Sequence, residues 1–133
     1  PEPIPIHPEP GELIPTRSTP TRYISFSTNF CPSGRMARKA GKVWREHGAL
    51  EYVECVADDV QSGKVTSFPQ SVKLKKGETV VFAYAVYKSR AHRDRVMKKV
   101  MNDPRLADMM DPKSLPFDSK RMFWGGFKTI VEA

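Results

Sequence analysis

Along Thr21 to Phe30 the side chains alternate, with Ile24, Phe26, Thr28 and Phe30 on one side and Tyr23, Ser25, Ser27 and Asn29 on the other. This period of two predicts a strand. Pro32-Ser33-Gly34 reads as a turn in which Ser33 can cap a helix. Met36, Ala37, Ala40, Val43, Trp44 and His47 then recur at helical spacing, with Arg38, Lys39, Lys42 and Arg45 mostly opposite them. The pattern predicts an amphipathic helix ending at Gly48. Ala49 to Ala57 reads as a strand apolar on both faces but for Glu51 and Glu54, followed by the polar loop Asp58 to Gly63. Residues 64 to 77 follow no single period, and Pro69 speaks against a central strand, so an excursion with a short strand or turn is expected there.

Glu78 to Tyr87 is dense in Val, Phe and Tyr, which suit a pleated surface, and is the plainest strand of the chain. Ser89 caps a predicted helix through Asn102 that buries Val96, Met97, Val100 and Met101 and exposes Arg90, Arg93, Lys98 and Lys99. Asp103-Pro104 ends it. A short helical piece follows around Leu106, Met109 and Met110, and Lys120 to Val131 reads as a long last strand in which Gly125-Gly126 invites a bulge or a close backbone approach.

The order strand, helix, strand, excursion, strand, helix, strand is that of an α+β, ferredoxin-like β-α-β-β-α-β subunit, with an antiparallel sheet and two helices on one of its faces. The other face needs cover, because residues such as Tyr84 and Trp124 would leave an aromatic patch in water. A second sheet is the simplest cover, so a homodimer is expected.

Composition adjusts this picture in two places. Of 12 prolines, eight lie in residues 1 to 35, where Glu2, Glu9, Glu12, Arg17, Arg22 and Arg35 cancel. The whole net charge of +7 therefore belongs to residues 36 to 133. The leading stretch 1 to 20 reads as an extended or disordered Pro-rich arm, and 21 to 133 as one ferredoxin-like domain. No apolar run approaches the ~20 residues a membrane span requires. Two cysteines make no disulfide framework, and a cytoplasmic protein with reduced thiols is expected.

From Met36 to the C-terminus the sequence resembles the YbaA-like bacterial family, domain of unknown function 1428. The resemblance is carried by EHGALEYVECVADDV at 46 to 60, GKVTSFPQSVK at 63 to 73, VVFAYAVYKSRAHRD at 80 to 94, NDPR at 102 to 105 and PFDSKRMFWGGF at 116 to 127. It implies a dimeric α+β barrel of ferredoxin-like subunits and supplies no reaction. The first strand of that family, of the type Tyr-Val-Asp-Gly-Phe with a Tyr-Arg pair following, has no counterpart in residues 17 to 35. The segment is read as a frameshifted or misassigned gene start, with a divergent but real first strand as the competitor.

Candidate chemistry is sparse. His7, His47, His92, Cys31 and Cys55 have no metal-ligand spacing, no cofactor signature is present, and neither metal nor cofactor is expected. Asp58 and Asp59 read as turn solvation, and Cys55 as a buried inert thiol. Glu54 shares a strand face with Tyr52 and Val56, where an unpaired carboxylate is costly. With Tyr52, Tyr84, Met122 and Trp124 it marks a candidate pocket for a small apolar or aromatic molecule inside the barrel. A salt bridge or hydrogen bond across the dimer is the structural alternative. Asp118, Lys120 and Arg121 could bind an anion, Lys120 and Arg121 being the anion candidates, or form an ion pair on the loop entering the last strand. Weak RNA binding through the basic helices is a further alternative, but Val80 to Tyr87 lacks the basic residue of an RNA-recognition strand, which argues against nucleic acid. Whether the protein is an enzyme, or a regulatory or stress-related module, is open at the level of sequence.

Overall fold

The computed structural model of the chain describes residues 22–30, 34–107 and 119–133. The Pro-rich arm, Ser33, Met109, Met110 and Asp118 lie outside them. The elements are β1 (Tyr23–Phe30), α1 (Gly34–Glu46), β2 (Glu51–Val56), α2 (Phe68–Ser71), β3 (Val80–Tyr87), α3 (Arg90–Met101), α4 (Pro104–Ala107), a 3-10 turn at Ser119–Arg121 and β4 (Phe123–Lys128). The four strands form one sheet in the order β2-β3-β1-β4, every neighbour antiparallel. That is the ferredoxin-like order, an α+β architecture. β1 pairs with β3 on one side and β4 on the other.

The helices close one face of the sheet. Tyr23 from β1, Ala85 and Tyr87 from β3, Val43 from α1, Val96 and Val100 from α3 and Leu106 from α4 form one buried cluster, with Trp44 and Tyr52 against it. Tyr87 is its centre: the ring is fully buried, and its hydroxyl accepts a hydrogen bond from Trp44 Nε1 at 3.2 Å and lies 3.3 Å from Ser25 Oγ. A buried phenol in an apolar layer needs such partners, since an unpaired one costs about 1–3 kcal/mol. Arg93, expected in water, instead lays its guanidinium over the Tyr23 ring, 5.0 Å from the centroid. Met101, expected inside, is half in water, because Val96 and Val100 already fill the stripe that α3 turns to the sheet.

Several of the blocks that carry the resemblance turn out to be joints. At NDPR, Asp103 accepts hydrogen bonds from the Arg105 backbone (2.9 Å) and side chain (2.8 and 3.0 Å) and from His47 Nε2 at 2.7 Å, tying the end of α1 to α4. Arg105 also meets Glu46 at 2.7 Å. These donors hold the Asp103 carboxyl far below the usual carboxylate range, Arg105 contributing most. Gly48, which ends α1, has φ +115, a region side chains avoid. Of the short strand or turn expected in the excursion the turn forms, as the helical turn α2, with Ser67 Oγ accepting from Gln70 N and Pro69 in the first turn, where its missing donor does no harm.

The last strand is shorter than predicted. Its first part is the 3-10 turn, and the strand ends at Lys128, after which Thr129 still bonds the Arg22 backbone. The register to β1 runs unbroken from Lys128 to Phe123, so the glycine pair makes no bulge. It makes a close approach: a Cβ on Gly126 would collide with the Tyr23 hydroxyl, which occupies that space.

Candidate functional site

The register divides the predicted pocket between two faces of the sheet. Directly paired residues in antiparallel strands share a face. Glu54 pairs with Ala83, Ala83 with Ser27, and Ser27 with Trp124, so these four form one row across the sheet on the helix side. Tyr52, two residues from Glu54, is on the same side, packed on Trp44 with ring centroids 5.4 Å apart. Tyr84 pairs with Val53 and Phe26 and therefore points away from Glu54. Placing Tyr84 with Glu54 in one pocket is thus corrected by strand parity. Trp124 shares a face with Glu54, but at three strand spacings of ~4.8 Å the two stand about 14 Å apart, at opposite edges. Its side is the helix side, not the open face predicted for it, and it is 74% exposed because the helices stop short of β4. Met122 is half-buried in the link before β4, outside the strand.

On the helix side, β2 is an edge strand and α1 lies beside it. Between them runs a shallow groove of about 400 Å³ lined by Ala37, Arg38, Gly41, Lys42, Arg45, Tyr52 and Glu54. Glu54 is half-buried, and its Oε2 is closed off from water with no hydrogen-bond partner among the described residues. Burial pushes the Glu54 carboxyl up from its ordinary range, while the neighbouring Tyr52 hydroxyl pulls it back. The phenol in turn is raised, first by its own burial and then by the Glu54 charge. Burial outweighs the Tyr52 contact, so the groove contains a carboxyl easier to protonate than an exposed one.

The opposite face is aromatic. Phe26 stacks on Phe82 with centroids 5.5 Å apart, Phe82 on Tyr84 at 6.4 Å, and Phe127 meets Phe26 edge-on at 6.4 Å. Phe127 is 57% and Phe123 45% exposed. Among the described residues α1 and α3 leave this face open, while α2 and the excursion cover its Val80 end, where Val72 and Leu74 pack on Val80 and Phe68 lines a hollow with Phe82. The alternation in β1 marks Phe26, but Phe82, Phe123 and Phe127 escape notice in the sequence because their parity depends on the register. Cys55, expected buried, is a free thiol half-buried on this same face.

Arg121 does not stand ready for an anion. Its guanidinium holds both carboxylate oxygens of Glu78 at 2.8 Å and reaches the Lys73 carbonyl at 3.1 Å. This is the ion-pair alternative, with Glu78 as partner, and it pins the 3-10 turn to the excursion. Lys120 sits exposed in the same turn. Arg121, with a smaller share from the Lys75 backbone N–H, pulls the Glu78 carboxyl down from 4.5 to about 2. A depressed carboxylate contributes stability that is complete above its unfolded value and lost as pH falls through the folded one. Melting temperature is therefore expected to fall between about pH 4.5 and pH 2, and the Arg121→Met protein to show a weaker decline in that window. Identical pH profiles for the two proteins would remove this pair from the account.

The described residues thus form a ferredoxin-like α+β domain with one face covered by α1 and α3, an aromatic face that these two helices leave open, and a groove along an edge strand. A family model described as "Protein of unknown function (DUF1428)" matches residues 33–119, and the chain belongs to that family. It is 46% identical over 97 residues to "Uncharacterized protein YbaA" of Escherichia coli strain K12, covering 73% of this chain and 81% of that protein, and equally to the Shigella flexneri protein of the same name. Among solved structures it is similar to a putative PII-like signaling protein from Thermus thermophilus (TM-score 0.39, 11% identity, 82% of this chain and 86% of that one). It is similar too to a de novo designed protein, Foldit4 (TM-score 0.35, 11% identity, 81% and 96%).

Proposed function

We propose that the protein works as a homodimer whose two sheets close over their bare faces, and that the resulting barrel is a binding module for a small aromatic or apolar molecule. The observation that carries the reading is the stacked row Phe26, Phe82 and Tyr84 with Phe127 at its edge, which α1 and α3 leave uncovered and α2 meets only at its Val80 end. Aromatic surface of this kind is stabilised by burial at roughly 25 cal/mol per Å². A second copy offers the same surface in a self-complementary arrangement. The ligand is placed among these rings and not beside Glu54, because Glu54 is on the other side of the sheet.

Native mass spectrometry of freshly purified protein tests both halves. The expected species is twice the chain mass of 15.1 kDa, carrying an additional non-covalent mass that denaturation releases. A monomer at micromolar concentration overturns the dimer. A dimer without added mass means that side chains fill the barrel, as a non-enzymatic regulatory or stress-related module would have it. RNA binding through Arg90, Lys98 and Lys99 of α3 would show as an affinity that disappears between low and physiological salt, which marks charge attraction alone.

A further inference from the structure

The groove on the helix side has two features that the fold does not need. Arg38 and Lys42 stand one turn apart on the exposed face of α1, both line the groove, and neither has an acidic partner among the described residues. Like charges at this spacing cost an isolated helix a few tenths of a kcal/mol, so helix stability gives no reason for the pair. Facing them from β2 is Glu54, with one carboxylate oxygen shut away from water and unpartnered. Between the charges the floor is smooth. Ala37 and Gly41 leave no long side chain there, and α1 comes so close that a Cβ on Gly41 would be 3.1 Å from the Tyr52 ring. Arg45, the third cation of the groove, is tied to the carbonyls of Ala49 and Leu50.

We propose that this groove is a second binding site, distinct from the bare sheet face, for a small carboxylic acid that also carries a hydrogen-bond donor. The acid group lies against Arg38 and Lys42, the donor meets the Glu54 carboxylate on its groove side, at the oxygen other than the enclosed Oε2, and the flat middle of the molecule rests on Tyr52 and the Gly41 backbone. A simple anion satisfies the two cations but is repelled by the Glu54 carboxylate. A neutral molecule with a donor satisfies Glu54 and leaves the cations unmatched. Only a molecule with both groups answers both ends of the groove. Its volume, near 400 Å³, is at the lower end of the range for small-molecule sites. The site does not depend on how the opposite face is covered.

The test is an NMR titration of the ¹⁵N-labelled full chain with 4-hydroxybenzoate, benzoate and 4-hydroxybenzamide, each to about 10 mM, a range that captures millimolar dissociation constants. The expected result is saturable shifts at Gly41, Tyr52 and Glu54 with 4-hydroxybenzoate. Benzoate, which lacks the donor, should bind about tenfold more weakly, as the loss of one hydrogen bond to a charged group dictates. 4-Hydroxybenzamide should produce no saturable shift. Arg38 and Lys42 are exposed, so the Arg38→Gln/Lys42→Gln protein folds normally, and its affinity should drop at least tenfold. Lys39→Gln, on the same helix but outside the groove, should bind as the parent does. Absence of saturable shifts with 4-hydroxybenzoate, equal affinity for benzoate, or unchanged affinity in the double variant overturns the proposal.

Discussion

Replacing Tyr87 by Ala should cost about 3–5 kcal/mol of stability, the usual penalty for emptying a large aromatic site. Small domains have only about 5–15 kcal/mol in total, so a sizeable unfolded population is expected at ambient temperature. The reason is positional. Tyr87 is fully buried where β3, α1 and α3 meet, in contact with elements that no shorter side chain can bridge. The control is Tyr87→Phe, which keeps the ring and removes the acceptor of the Trp44 indole N–H and the Ser25 neighbour. Its expected cost is about 1 kcal/mol, since Trp44 is only half-buried and water can replace part of the lost bond. Urea unfolding followed by Trp fluorescence measures both. Equal losses in the two variants would mean that the hydroxyl network, and not the ring, holds the layer together.

Phe82→Glu should abolish self-association while leaving the monomer folded. The ring is half-buried, stacks on Phe26 and Tyr84 and is no part of the core cluster under α1 and α3, so its loss leaves that core intact. In a closed pair of sheets the same position would place two carboxylates in a dry aromatic layer, and unpaired buried charge is among the most destabilising changes known at an interface. A weakening of at least 100-fold, about 2.7 kcal/mol, is expected by light scattering across a dilution series. Lys98→Glu, on the exposed side of α3, should associate like the parent. If Phe82→Glu keeps the parent's association, the bare face is not where copies meet.

The element order is legible because it rests on local rules. Alternation in β1, the helical stripe Ala40, Val43 and Trp44, the Ser89 cap and the valines of β3 each report on a segment without reference to its neighbours. The same locality explains the errors. Pro69 reads as a breaker of strands, which holds, but not as the opener of a helical turn, which it is. Arg93 belongs to water by helical spacing, and it lies on Tyr23 because a distant strand brings a ring beneath it. The pocket fails for a sharper reason: on a strand one step of register exchanges the faces, and nothing within Val80 to Tyr87 says whether Tyr84 or Ala83 stands beside Glu54.

What the sequence determined by itself was the α+β class, the family, the neutral Pro-rich lead with a basic body, and the presence of a carboxylate, Glu54, that an apolar strand tolerates poorly. What the tertiary structure alone decided was which side each residue serves. It paired Arg121 with Glu78, set Phe26, Phe82, Tyr84 and Phe127 on one bare face, and gathered Tyr52 and Glu54 under the cations of α1 on the other. Periodicity fixes a residue's side relative to its own element, and only the pairing of strands and the seating of helices turns that into a shared site.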